Sequence, residues 1–174
     1  VHKGKTIFVG DTSVHEYPSS KQLSEIAISS ARVVRLFGFD PKVAFVSHST
    51  FGQPLTSRTK HIKEAVEILK EKKVNFEFDG DMQPDVALDE EYKSLYPFSK
   101  IVGNANILIM PGQHSAAISY KMMKTLGDTK VIGPLLIGLG LPIEIAPLRS
   151  STSEIINLAS IAAYSADVIN YKKN

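Results

Sequence analysis

The chain has 174 residues, 43% of them hydrophobic and 22% charged, which suits one globular domain or two small lobes around a sizeable core. Its formal net charge of +2 is too small to imply nucleic acid or a membrane surface as a partner, and no apolar run approaches the length of a membrane span. Cysteine is absent, which excludes disulfides, thiolate metal sites and cysteine nucleophiles and fits a reducing, cytoplasmic compartment.

The start, Val1-His2-Lys3-Gly4-Lys5-Thr6, has no initiator methionine and no signal-peptide core, and reads as a cut into something longer. Lys5–Val9 is expected to form a short buried strand. Pro18-Ser19-Ser20 then offers caps for an amphipathic helix that buries Leu23, Ile26, Ala27, Ala31, Val34 and Leu36 and ends near Gly38. Lys42–Ser47 is the next strand. A polar loop from His48 to Ser57 leads to a helix over Arg58–Lys73, with Ile62, Ala65, Val66 and Leu69 on one face. Phe76–Phe78 forms a short strand, and Pro84 to Glu91 one or two helical turns. Ala105–Met110 is strongly β-like and is broken by Pro111-Gly112, and a helix covers Ala116–Leu126.

Val131–Ile132 opens a further strand in this reading. Gly133-Pro134 and the loop around Gly138, Gly140 and Pro142 follow it. Glycine admits close backbone approach to a ligand and proline fixes the bend, so the run suits the wall of a cleft. Ser151-x-x-Glu154 is a capping box that opens a long apolar helix to about Tyr171. Strand and helix alternate throughout, which predicts an α/β, three-layer αβα architecture with a mainly parallel sheet.

Several familiar motifs fail on their chemistry. Gly4-Lys5-Thr6 lacks the upstream glycine and following helix of a phosphate loop. Gly138-x-Gly140 meets Ile143 where a dinucleotide fingerprint needs glycine. Asp79, Asp81, Gln83, Asp85 and Glu90 approach calcium-loop spacing, but Pro84 stands at the required glycine, which leaves an exposed acidic loop. His2, His15, His48, His61 and His114 show no metal-ligand spacing. His48 and His114 each follow a predicted strand, where α/β folds bind ligands. The loop Ser47-His48-Ser49-Thr50-Phe51-Gly52 joins small hydroxyls to a helix N-terminus, a setting that favours anions. The helix after it is rich in Arg58, Lys60, Lys63 and Lys70, balanced by Glu64, Glu67 and Glu71.

Taken in order, several blocks resemble the phosphate acetyltransferase and phosphate butyryltransferase family. They are Pro41–Ser49, Phe78–Leu88, Val102–Pro111, Ser119-Tyr120-Lys121, Ile132–Leu139 and Glu154–Ala159. Asp11–Val14, Ala31–Gly38 and Ser49–Gly52 are similar to the version of that module at the C-terminus of long NADP-dependent malic enzymes. The resemblance implies an isocitrate/isopropylmalate dehydrogenase-like fold, as in phosphotransacetylases. Residues 1–174 would be the C-terminal part of such a module, with an α/β lobe over 1–150 and a C-terminal helix over 151–174. It further implies acetyl-CoA or a related acyl-CoA as ligand, with NADP and a divalent metal confined to absent malic-enzyme domains. The partners implied are those other domains and further copies of the chain, with no nucleic acid and no membrane.

The departures from the family pattern bear on chemistry. Active members are expected to carry a Ser-Arg pair that holds phosphate and stabilises the tetrahedral state, followed by an acid that helps deprotonate the coenzyme A thiol. Aligning Glu154–Asn157 puts Pro147 and Leu148 where that pair belongs, with Arg149 one residue off. Glu154 matches the acid and is also the capping residue. Ala117 stands where asparagine is usual. Catalytic candidates therefore reduce to Glu154 and Arg149. The expected ligand-binding residues are Ser47, Ser49, Thr50, Gly133, Pro134, Gly138 and Arg149, with no metal site. Three functions stay open: a regulatory acyl-CoA-binding module without turnover, an active phosphate acyltransferase, and a structural oligomerisation module.

Overall fold

The computed structural model describes residue 1, residues 4–127 and residues 129–171; for Arg58 and residues 169–171 only the backbone is described. His2 lies outside the described residues. A four-stranded parallel sheet forms the centre, in the order β1-β4-β2-β3, from β1 (Phe8–Gly10), β2 (Lys42–Val46), β3 (Glu77–Met82) and β4 (Ile107–Ile109). Both inner strands are apolar throughout their buried length because both faces of the sheet are covered.

Strand alternation sorts the core into two layers. Val43 and Phe45 of β2 and Ile107 and Ile109 of β4 face α1 (Ser20–Leu36) and α2 (Ser57–Glu71), whose Leu23, Ala27, Ile62 and Leu69 complete that layer. Ala44, Val46 and Leu108 face the other way, towards Val86 and Ala87 of α3 (Pro84–Leu88) and Ala116 of α5 (Gln113–Leu126). The short α4 (Glu90–Ser94) follows α3, and α6 (Thr152–Tyr171) ends the described chain. The helix starts follow the expected chemistry. Ser19 and Gln22 form a reciprocal capping box before α1, and Thr56 with Thr59 does the same for α2.

Two expectations are corrected. No strand forms at Val131–Ile132, and residues 130–151 carry no helix or strand. The reason is local: Gly133 sits at φ +119 and Pro134 has no N–H to donate to a ladder. The acidic stretch after Phe78 is not an exposed loop either. β3 continues to Met82, with Asp79 and Asp81 buried. The strand runs on because Gly80 allows it: a Cβ there would lie 2.7 Å from the Phe45 Cβ and 2.9 Å from its carbonyl oxygen. Gly80 also has φ +153. Gly80→Ala should therefore lower unfolding stability by about 1–3 kcal/mol, the cost of overpacking a rigid site, read as an earlier urea midpoint at unchanged slope.

Candidate functional site

The strand connections place a switch point at the carboxyl edge of the sheet. The chain leaves β1 and β2 towards the α1/α2 layer, whereas it leaves β4, lying between them, towards the opposite layer through α5. Where neighbouring strands send their connections to opposite faces, a crevice opens at their carboxyl ends.

The Ser47–Gly52 loop lies at the carboxyl end of β2, and its hydroxyls are turned into the protein. Ser49 is fully buried and its hydroxyl donates to Asp81 Oδ2, while Asp81 Oδ1 accepts from the Gly52 N–H at 2.9 Å. Ser47 Oγ lies 3.4 Å from Ser49 Oγ and accepts the Ser49 N–H at 3.3 Å. Thr50 Oγ1 accepts from the Gln83 N–H, and the Phe51 N–H donates to the Asp81 carbonyl. The loop is thus stitched to the end of β3 by bonds that use most of its polar groups. His48 is the exposed side chain within Ser47–Thr50, with its own carbonyl held by Gln83 Nε2 at 2.8 Å. Asp81, which organises all of this, escapes a reading of sequence alone because Asp-Gly-Asp normally marks a solvated turn.

The glycine-proline run forms an exposed strap. Gly133 and Gly138 both have positive φ, and Pro134 follows a cis bond. The strap folds back on itself where the Leu136 N–H donates to Glu144 Oε2 at 3.0 Å, and burial pushes the Glu144 carboxyl above its ordinary range. A turn closed by Ser150 N–H to Pro147 O at 2.9 Å then lifts Leu148 and Arg149 outward. Arg149 is exposed and joins no ion pair among the described residues.

Glu154 is held from three sides. Lys124 of α5 donates to Oε1 at 2.8 Å, while the Ser151 N–H and hydroxyl donate to Oε2 at 2.7 and 3.0 Å. The Lys124 bond first, then the Ser151 bonds, bring its carboxyl down from 4.5 to about 2. The structure thus gathers Ser47 and Ser49 around Asp81, and Glu154 around Lys124. Arg149 stands apart at its turn, five positions before Glu154. Among the described residues no group of three His, Cys, Asp or Glu side chains could hold a metal, and no helix is long and apolar enough to cross a membrane.

Residues 1–163 match the family model described as phosphate acetyl/butaryl transferase. The chain belongs to the phosphate acetyl/butyryl transferase family. It is 46% identical to an NADP-dependent malic enzyme of Rhizobium meliloti over 164 residues, covering 94% of this chain but 22% of that protein. It is 34% identical to a phosphate acetyltransferase of Bacillus subtilis, covering 90% of this chain and 49% of that enzyme. Among solved structures, a phosphotransacetylase from Staphylococcus aureus superposes with TM-score 0.87 at 30% identity, covering 95% of this chain and 52% of that one. A phosphotransacetylase from Streptococcus pyogenes does so with TM-score 0.87 at 32% identity, at 94% and 50% coverage. The chain therefore spans about half of the Bacillus subtilis transferase and of the two solved phosphotransacetylases, and under a quarter of the malic enzymes. The α/β fold with a parallel sheet expected for such a family is the one observed.

Two measurements check this geometry. A carboxyl held below its unfolded value contributes stability that is fully present above pH 4.5 and is lost as pH falls towards about 2. Glu154→Gln should therefore flatten the fall in melting temperature over that interval; an unchanged slope would contradict the Lys124–Glu154–Ser151 arrangement. Ser49→Ala removes the hydroxyl donor of a buried carboxylate and should cost about 1–3 kcal/mol in chemical unfolding.

Proposed function

We infer that this chain is the phosphotransacetylase-like module of an NADP-dependent malic enzyme, binding acetyl-CoA or a related acyl-CoA as a regulator without turning it over. One observation carries the reading. Where the family pattern calls for a phosphate-holding pair stand Pro147 and Leu148, neither of which can bind an anion through its side chain. The acid position is occupied too: Glu154 already accepts from Lys124 and Ser151, so its lone pairs serve the α5–α6 junction rather than a thiol. Loss of a preorganised charged clamp costs orders of magnitude in rate.

In this reading the crevice over β4 and the strap receive the acyl-CoA. Gly133, Pro134 and Gly138 shape one wall, and the free guanidinium of Arg149 meets the anionic end. Ser49, backed by Ser47, fixes the opposite wall through Asp81, and Thr50 does so through Gln83, which leaves His48 facing the opening. Malate oxidation, with its NADP and divalent metal, would belong to other domains of the same cytoplasmic polypeptide. The 46% identity to a malic enzyme favours that parent over a free-standing transferase.

Assembly is a second reading with its own observation. Ile155 and Ile156 of α6 are half or more exposed, as are Leu141 and Leu148 of the strap. Exposed apolar residues grouped in this way mark contact surfaces. Active acyl transfer between coenzyme A and phosphate is the third, and it would need Arg149 to serve in place of the missing pair.

Calorimetric titration with acetyl-CoA, beside an assay of acetyl-CoA formation from acetyl phosphate and coenzyme A, separates the three. Binding without turnover is expected. Turnover abolished by Arg149→Ala would instead establish a transferase. Ile156→Glu that dissociates an oligomer while ligand binding persists would assign α6 to assembly.

A further inference from the structure

The carboxyl end of β1 carries a pair of side chains that the reading above does not use. Asp11 follows Gly10 directly and adopts φ +49, a left-handed conformation unusual for aspartate. Its carboxylate collects the Val14 N–H at 2.9 Å and the His15 N–H at 3.1 Å, and lies 2.5 Å from His15 Nδ1. Asp11 is nearly buried at 8% side-chain exposure, whereas His15 keeps 34%. Nδ1 of the imidazole therefore faces the carboxylate, while about a third of the side chain stays open to solvent. A carboxylate only accepts hydrogen bonds, so Nδ1 carries the proton and Nε2 of the neutral ring presents a lone pair.

The position is as informative as the pair. Gly10, Ile109 and Phe45 share one level across β1, β4 and β2, so the dyad and the Ser47–Gly52 loop leave the sheet two strand spacings apart, about 10 Å. They flank the carboxyl end of β4, the same crevice derived from topology. The segment after the dyad is pinned there. The Gln113 N–H at the start of α5 donates to the Glu16 carbonyl at 3.3 Å, and a Cβ on Gly112 would meet that oxygen at 2.7 Å. The other histidines near this edge are placed differently. His114 is engaged by Glu16 at 3.6 Å and stacks on Tyr17, and His48 makes no ion pair with a carboxylate among the described residues.

We propose that Asp11 and His15 form a ligand-binding dyad, Asp11 as the positioning residue and His15 Nε2 accepting a hydrogen bond from an –SH or –OH group of a coenzyme A-class ligand in the crevice over β4. The inference rests on the acyl-CoA reading of this crevice and adds a contact to it.

Nitrogen-15 NMR of the free protein with the imidazole in its neutral form should show His15 as the Nδ1–H tautomer, and Asp11→Asn should populate the Nε2–H form. Titration with coenzyme A should shift the His15 Nε2 resonance. His15→Phe should weaken coenzyme A binding about tenfold or more by calorimetry at an unchanged melting temperature, the scale of a lost hydrogen bond to a partner left unpaired. His15→Gln, which can still offer a polar group, should recover most of the affinity. Desulfo-coenzyme A separates the donors: loss of the His15→Phe effect with this probe assigns the thiol, and its persistence assigns a hydroxyl. Equal binding of coenzyme A by the wild-type protein and His15→Phe, or an Nε2–H tautomer in the free protein, would overturn the dyad alone. No binding by the wild-type protein would overturn the acyl-CoA reading and the dyad with it.

Discussion

The carboxyl edge depends on one buried carboxylate. Removing an ionised aspartate from water costs several kcal/mol unless hydrogen bonds replace the lost hydration. Asp81 is given the Ser49 hydroxyl and the Gly52 N–H on its two oxygens, and its main-chain carbonyl takes the Phe51 N–H. Because each donor comes from the loop after β2 while the acceptor ends β3, meeting the needs of the carboxylate fixes two strand ends against each other. The wall of the crevice is therefore rigid for an electrostatic reason, and its hydroxyls shape the site without facing it.

The alternation of β2, the spacing of α1 and α2, and the caps at Ser19 and Ser151 could all be read in the amino-acid sequence, since each is decided by neighbours within a few positions. The candidate site was less legible. Asp81 looks like a turn residue until β3 is seen to continue past Gly80, which depends on how closely Phe45 of another strand approaches. The strap looks strand-like by composition, yet no neighbour supplies a ladder and Pro134 could not join one. His15 carries no metal-ligand spacing, and its significance appears only once Asp11 bends back in a left-handed conformation to hold it. Local chemistry was readable; groups brought together by strand order were not.

In the regulatory reading proposed above, membership of a transferase family and possession of its chemistry are separable. The sheet order, and with it the position of the crevice, is maintained by burial. Pro147 and Leu148 are exposed, and their identity costs the core nothing. A position of this kind is free to lose a reactive group while the architecture persists. Glu154, by contrast, directs its bonds to a structural neighbour, Lys124 of α5.

The last helix has a mechanical role that follows from where it is fastened. Near its start Glu154 holds Lys124 of α5, and one layer across Tyr164 donates its hydroxyl to the Leu36 carbonyl at the end of α1. Ten residues of helix separate these anchors, about 15 Å, comparable with the depth of a sheet and the layer packed on it. α6 is therefore a strut between the two helical layers, with one ionic joint and one neutral joint. Acid strong enough to protonate Glu154 frees only the first and leaves the Tyr164 joint and the buried Leu158 between them in place.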